Sequence, residues 1–161
     1  MNQLQNVFDY EGHQVRTVII HGEPWFVAKD ATNIKEWLPV GSEYCGYIYA
    51  IEYGSCIKIG HSRKPHQRIN ALLSQAKNYA GIELGWFIIS KPHTNYMENE
   101  RLIHTFFKSK RTSGELFSIT LEHFLNNLPE LRFLDETEDF RKKSEQTTEL
   151  FKSLLFGTHL K

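Results

Sequence analysis

The sequence predicts a small mixed α/β (α+β) protein: a three-stranded antiparallel sheet flanked by helices, preceded by a β-hairpin extension and followed by a C-terminal helix. Three observations carry this. Short β-branched and aromatic runs alternate with segments whose apolar residues recur at helical spacing. Turn residues separate several of the runs at hairpin distance. The 11 Phe, 7 Tyr and 3 Trp in 161 residues argue for a packed core and against disorder.

Taken in order, the segment from Asn6 to Asp30 reads as a hairpin. Val7 and Phe8 open it, Glu11-Gly12 turns, Val15 to Ile20 is strand-like, and His21-Gly22-Glu23 turns again before Trp25-Phe26-Val27. Ala28 to Trp37 is expected as a short helix stopped by Pro39 and Gly41. So short a unit rarely buries enough surface to stand alone, so residues 1–40 form an extension leaning on the domain C-terminal to it. That main domain is expected over residues 44–128. It opens with strand Cys45 to Tyr53, turns at Gly54-Ser55, and returns through Cys56-Ile57-Lys58-Ile59-Gly60. Pro65 suits the first turn of a helix reaching about Lys77, with Ile69, Leu72, Leu73 and Ala76 on its buried face. A strand comes next at Ile82 to Ser90. Thr94 or Asn95 caps a helix to about Lys108, striped by Leu102, Ile103, Phe106 and Phe107. A short strand, Leu116 to Ile119, and a helix, Thr120 to Asn127, close the unit. Residues 129–161 turn acidic at Asp135, Glu136, Glu138 and Asp139, then become helical from Phe140. The late stripe Leu150, Phe151, Leu154 and Leu155 needs a buried partner, either the N-terminal hairpin or a second copy of the chain.

Composition narrows the function. The 19 basic and 19 acidic side chains cancel, which argues against a non-specific basic coat for nucleic acid, so any such contact comes from local patches. Two patches qualify. Lys58, His61, Arg63, Lys64, His66 and Arg68 fall within eleven positions with no acid among them, and Lys108, Lys110 and Arg111 form a second run. Two cysteines, Cys45 and Cys56, make no disulfide framework, and their spacing fits no four-ligand zinc site. With no apolar signal core and no long apolar span, the expected setting is the cytoplasm, with no membrane partner.

Tyr47-Ile48-Tyr49, followed nine residues after Tyr49 by Lys58-Ile59-Gly60, resembles the paired signature of the GIY-YIG nuclease superfamily, in the phage-type branch whose second element reads KIG. Arg68 and Glu100 stand at the family's spacing, so the resemblance covers about 85 residues. It implies a metal-dependent endonuclease that hydrolyses DNA phosphodiesters, encoded by a phage or prophage-like element. In that reading Tyr49, with Tyr47 competing for the role, activates a water. Lys58 and His61 assist, Arg68 binds phosphate oxygens, and Glu100 holds Mg2+ (or Mn2+). Such chemistry needs an activated water and cations on the phosphate charge, and a planar guanidinium fits phosphate well. One carboxylate suffices for a magnesium ion that keeps its waters. Arg63, Lys64, His66, His104, Lys108, Lys110 and Arg111 are the expected nucleic-acid contacts. Glu98 is the competing register for the metal ligand. The asparagine that many relatives carry near the domain end has no counterpart; Gly114-Glu115-Leu116-Phe117-Ser118 resembles the phage-type closing strand instead.

Phe8 to Ala31, FDYEGHQVRTVIIHGEPWFVAKDA, resembles the opening of a BRO-N antirepressor module, cut to its first hairpin and helix start. The alternative function, from a different class, is a binding protein on a retired GIY-YIG fold, acting as a regulator or counter-defence inhibitor. Keeping both Arg68 and Glu100 favours the enzyme.

Overall fold

The structure is a computed structural model that describes residues 4–10, 13–29, 34–134 and 154; of residues 4–10, 13, 14, 79 and 80 only the backbone is described. The expected Glu11-Gly12 turn, the acidic stretch 135–139 and the C-terminal helix lie outside the described residues. Leu154 alone is described there, and it is exposed.

The N-terminal segment forms β1 (Leu4–Tyr10), β2 (His13–Ile20) and β3 (Glu23–Ala28). His21 and Gly22 turn β2 into β3 with φ of 53° and 77°. Positive φ at both central turn positions matches the right-handed twist of the flanking strands, and glycine adopts it without a steric penalty. Next comes α1 (Ile34–Trp37), all that is described of the expected helix, since Ala28 ends β3.

The core unit comprises β4 (Tyr47–Tyr53), β5 (Cys56–Ser62), α2 (Pro65–Gln75), β6 (Leu84–Ser90) and α3 (Tyr96–Phe106). A π-helical turn, Ala76–Ala80, extends α2. Short β7 (Arg111–Ser113), β8 (Leu116–Phe117) and α4 (Leu121–Asn127) close the described chain. Thr120 caps α4, its hydroxyl accepting from His123 N at 3.0 Å, which satisfies an otherwise orphaned first-turn donor. Among the described residues no helix is long and apolar enough to cross a membrane.

Strand pairing corrects the expected fold class. There is no three-stranded sheet with a separate hairpin, but one eight-stranded antiparallel sheet in the order β1-β2-β3-β6-β4-β5-β8-β7. The reason lies in β6, which uses both its edges. It pairs with β4 through Tyr49↔Ile89 and Ala50↔Ile88, and with β3 through Phe26↔Ile89 and Val27↔Ile88. A hairpin offered an open strand of matched apolar alternation completes its ladder there, sparing buried backbone groups that would otherwise lack partners.

Helices cover both faces. On one, Phe26, Tyr49, Phe87 and Ile89 pack with Ile69 and Leu72 of α2 and Trp37 of α1. On the other, Ile48, Ile59 and Ile88 pack with Ile103 of α3 and Phe124 of α4. Ile48, Ile59, Ile103 and Phe124 are wholly buried, and each contributes about 1.5–3 kcal/mol of burial. Period-two alternation therefore sends Tyr47 and Tyr49 toward α2, and Ile48 and Ala50 toward α3.

Candidate active site

The site forms where β5, still paired with β4 on one edge, runs out of a partner on the other. β8 pairs only with Ile57 and Lys58, and Ile59 N donates to Glu115 O at 2.9 Å just beyond. Past that point the two faces of the sheet meet around one strand edge, at Gly60 and His61.

From the α2 face comes Tyr49, 1% exposed, whose register partner is Gly60. The absence of a side chain at Gly60 is what gives the phenol its place: a Cβ there would lie 2.5 Å from Tyr49 Oη and 3.2 Å from Glu115 Oε2. Arg68, on the first turns of α2, donates from Nε to Tyr49 Oη at 3.2 Å. That bond uses one of the five donors of the guanidinium fork. It also occupies the phenol oxygen as an acceptor, leaving the hydroxyl hydrogen to donate elsewhere.

Burial pushes the Tyr49 hydroxyl above its ordinary value, Arg68 opposes this, and the charges of Glu115 and Glu100 reinforce it. The phenol is therefore held protonated at neutral pH. Arg68 is raised in turn, mainly by the bond to Tyr49, with Glu115 contributing.

From the α3 face comes Glu100. Its side chain is 8% exposed, with Oε2 3.0 Å from His61 Nδ1 and Oε1 3.4 Å from His104 Nε2. His104 Nε2 also lies 3.0 Å from Ile59 O. A carbonyl only accepts, so that nitrogen carries a proton and His104 steadies Glu100 and the edge strand together. Tyr96 packs against the His61 ring at 5.4 Å between centroids. The competing register is separated by direction: Glu98 is exposed and pairs with Arg101 at 2.9 Å.

Lys58 Nζ sits 3.1 Å from Glu115 Oε2. Tyr49, Lys58, His61, Arg68 and Glu100 are thus linked around Gly60 by direct contacts or by mutual charge effects, and Glu115 joins them. Glu115 is the site residue that sequence reasoning missed. The motif Gly114 to Ser118 signals a closing strand but not which strand it joins.

The remaining expected residues divide. Tyr47 turns toward the loop before β4, its hydroxyl donating to Pro39 O, and burial raises its pKa. It lines an open groove of about 810 Å³ together with Ser42, Arg63, Lys64, Gln67 and Arg68, so the groove meets the site at Arg68 and excludes Glu100 and Lys58. Arg63 donates to Glu43 O across that groove. His66 lies off it, its pKa lowered by partial burial and then by Lys35 and Lys64. Lys108, Lys110 and Arg111 are exposed at the far sheet edge beyond β8, with Arg111 Nε donating to Gly114 O. Cys45 and Cys56 are free thiols.

Among the described residues, no group of three or more His, Cys, Asp or Glu is arranged to hold a metal. The donor set that Glu100 does offer is a single hard carboxylate, which fits a cation that takes most of its ligands from water and phosphate.

Neither the curated proteins nor the solved structures compared with this chain gave a match. A family model did. Residues 46–143, more than half of the chain and the stretch holding every element of the site, match the T5orf172 domain, a nuclease-associated domain. The chain belongs to the T5orf172 domain family.

Proposed function

We propose that this domain engages a nucleic-acid phosphate at the open end of β5, and that the site is a GIY-YIG-type phosphodiesterase cutting DNA with one divalent cation. The observation that carries this is the convergence at Gly60 of an arginine bonded to a protonated phenol on one face of the sheet and a buried carboxylate from the other. Arg68 would take the non-bridging phosphate oxygens, and its bond to Tyr49 keeps the fork from rotating away. Tyr49 donates its remaining hydrogen to a phosphate oxygen or to the attacking water, orienting it. Lys58 adds positive charge where the transition state gathers negative charge. His61, anchored to Glu100, stands where a proton leaving the water is accepted. Glu100 would hold Mg2+ or Mn2+, which supplies Lewis-acid stabilisation of the phosphate when bound. Arg63, Lys64 and His66 beside the groove, with Lys108, Lys110 and Arg111 on the far edge, would carry the flanking strand.

A second reading is binding without cutting, as a regulator or counter-defence inhibitor. The lack of a multi-ligand metal cluster among the described residues favours it, since binding needs Arg68, Lys58 and the basic edge but no metal. One experiment separates the two. Plasmid DNA is incubated with the protein and Mg2+ or Mn2+, beside Arg68→Ala and an EDTA control. Metal-dependent nicking lost in Arg68→Ala supports the nuclease. Retained DNA affinity with no nicking by the wild-type chain supports the binding protein.

A further inference from the structure

We infer that Glu115 is a positioning residue of this site, holding the Lys58 ammonium beside Gly60 and offsetting positive charge where phosphate binds. The inference rests on the phosphate-site reading above and extends it to a residue that neither the sequence motif nor the family match singles out.

Glu115 is tied to the edge strand twice. Its carbonyl accepts from Ile59 N at 2.9 Å, and its carboxylate lies 3.1 Å from Lys58 Nζ. Oε2 is sealed from solvent, yet it meets the ammonium without the alignment of a directed hydrogen bond, so the oxygen retains accepting capacity. The space that a Cβ on Gly60 would fill is bounded by Tyr49 Oη on one side and this same oxygen on the other. A carboxylate in contact with a lysine, and facing the phenol that bonds Arg68 across a methyl-sized space, serves two ends. It gives Lys58, a flexible four-carbon stem, one preferred placement. It also repels a phosphate that approaches by charge alone, so that only a correctly seated one gains the full set of contacts.

The consequence is a split between binding and turnover. A merely structural residue, once changed, weakens both. Loss of the Glu115 charge should tighten ground-state binding while slowing the reaction. The test uses the full chain as wild type, Glu115→Gln, Glu115→Asp, Lys58→Ala and the Lys58→Ala/Glu115→Gln double variant. Affinity is measured in EDTA for a short DNA with a non-hydrolysable linkage, and single-turnover cleavage is measured with Mg2+. Glu115→Gln should bind about fivefold tighter, from removal of one nearby negative charge. It should cleave at least about tenfold slower, from misplacement of Lys58. Glu115→Asp should recover part of the rate, and the loss of rate, which acts through Lys58, should shrink in the Lys58→Ala background, whereas the tighter binding should persist there. Equal weakening of binding and cleavage, or a rate loss undiminished without Lys58, would overturn the proposal. If the wild type binds but does not cut, the nuclease reading fails and the affinity arm alone decides. If it does neither, the phosphate-site reading fails, and thermal unfolding of the wild type, the two single variants and the double variant decides whether Glu115 holds Lys58. Non-additivity of about 2 °C retains that pairing, and additive losses reject it.

Discussion

Among the described residues two carboxylate–histidine clusters, at Glu100 and at Glu23, have opposite characters. At the first, Glu100 lies between His61 and His104 at the open edge of β5. At the second, Glu23 of β3 lies 3.0 Å from Lys91 Nζ and 3.8 Å from His93 Nε2. His93 is 2% exposed, and burial pushes its imidazole down to about 4, with Glu23 opposing and Lys91 reinforcing the shift. At neutral pH that ring is uncharged, so its approach to Glu23 is not an ion pair.

The backbone of His93 meanwhile bridges to Gly46, donating to its carbonyl at 2.8 Å and accepting from its amide at 2.9 Å. The second cluster is a strut that ties the end of β6 to the start of β4. The first has what the second lacks: a neighbouring strand edge without a ladder partner, and an arginine–phenol pair arriving from the opposite face. Residue type alone does not distinguish them; position on the sheet does.

The sharpest way to break this comparison is to remove each carboxylate. Glu100→Ala should lower metal-dependent cleavage by at least about a hundredfold, since it removes the charge that, in the proposed reading, would anchor the cation. Glu23→Ala should leave cleavage within about twofold. Rates of plasmid nicking measure both, and the reverse pattern, or inactivation by Glu98→Ala, would move the site elsewhere.

Next in size is Gly60→Ala. The added methyl would meet Tyr49 Oη at 2.5 Å, and relief requires moving the phenol that holds Arg68. We expect about a tenfold loss of cleavage and about 1–3 kcal/mol of stability, read by nicking rates and urea unfolding. Full activity would show that the bond between Tyr49 and Arg68 is dispensable.

Smaller still is the effect of the outer basic run. Replacing Lys108, Lys110 and Arg111 together by alanine should weaken DNA binding by about fivefold to tenfold. Its salt dependence should flatten by about one unit of slope for each phosphate the protein no longer neutralises. The cleavage rate at saturating DNA should not change. Fluorescence anisotropy across a salt series checks this.

The least effect on cleavage is expected at His93, whose signature is in stability. Its folded-state pKa is depressed, so below about pH 6.5 the unfolded chain binds a proton that the folded chain refuses until about pH 4. The stabilisation is complete above that window and is lost as pH falls through it, by about 3 kcal/mol. His93→Asn should flatten the slope of stability against pH between those values without altering nicking. An unchanged slope would mean that His93 is not buried neutral.

Much of the fold is legible in the sequence because its signals are local. The antiparallel pairing of β4 with β5 follows from two β-branched, aromatic runs joined at Gly54-Ser55, and the buried face of α2 from Ile69, Leu72 and Ala76 at helical spacing. Strand alternation likewise puts Tyr47 and Tyr49 on one face, although it leaves open which of them bonds Arg68. The N-terminal strands are legible as strands, but their partner is not, because a ladder is chosen by the free edge it meets.

By itself, then, the sequence determined most of the elements, the buried face of α2 and the spacing of Tyr49, Lys58, Arg68 and Glu100, all properties of neighbouring residues along one chain, whereas Leu102 and Phe106 of the expected α3 stripe are exposed. Only the tertiary structure decided that β3 adds to β6, that Glu98 faces solvent while Glu100 meets His61, and that Glu115 reaches Lys58 across the β5–β8 pairing. Those outcomes depend on contacts between segments far apart in sequence. Their physical cause is the need to pair every buried backbone edge and every buried charge at once.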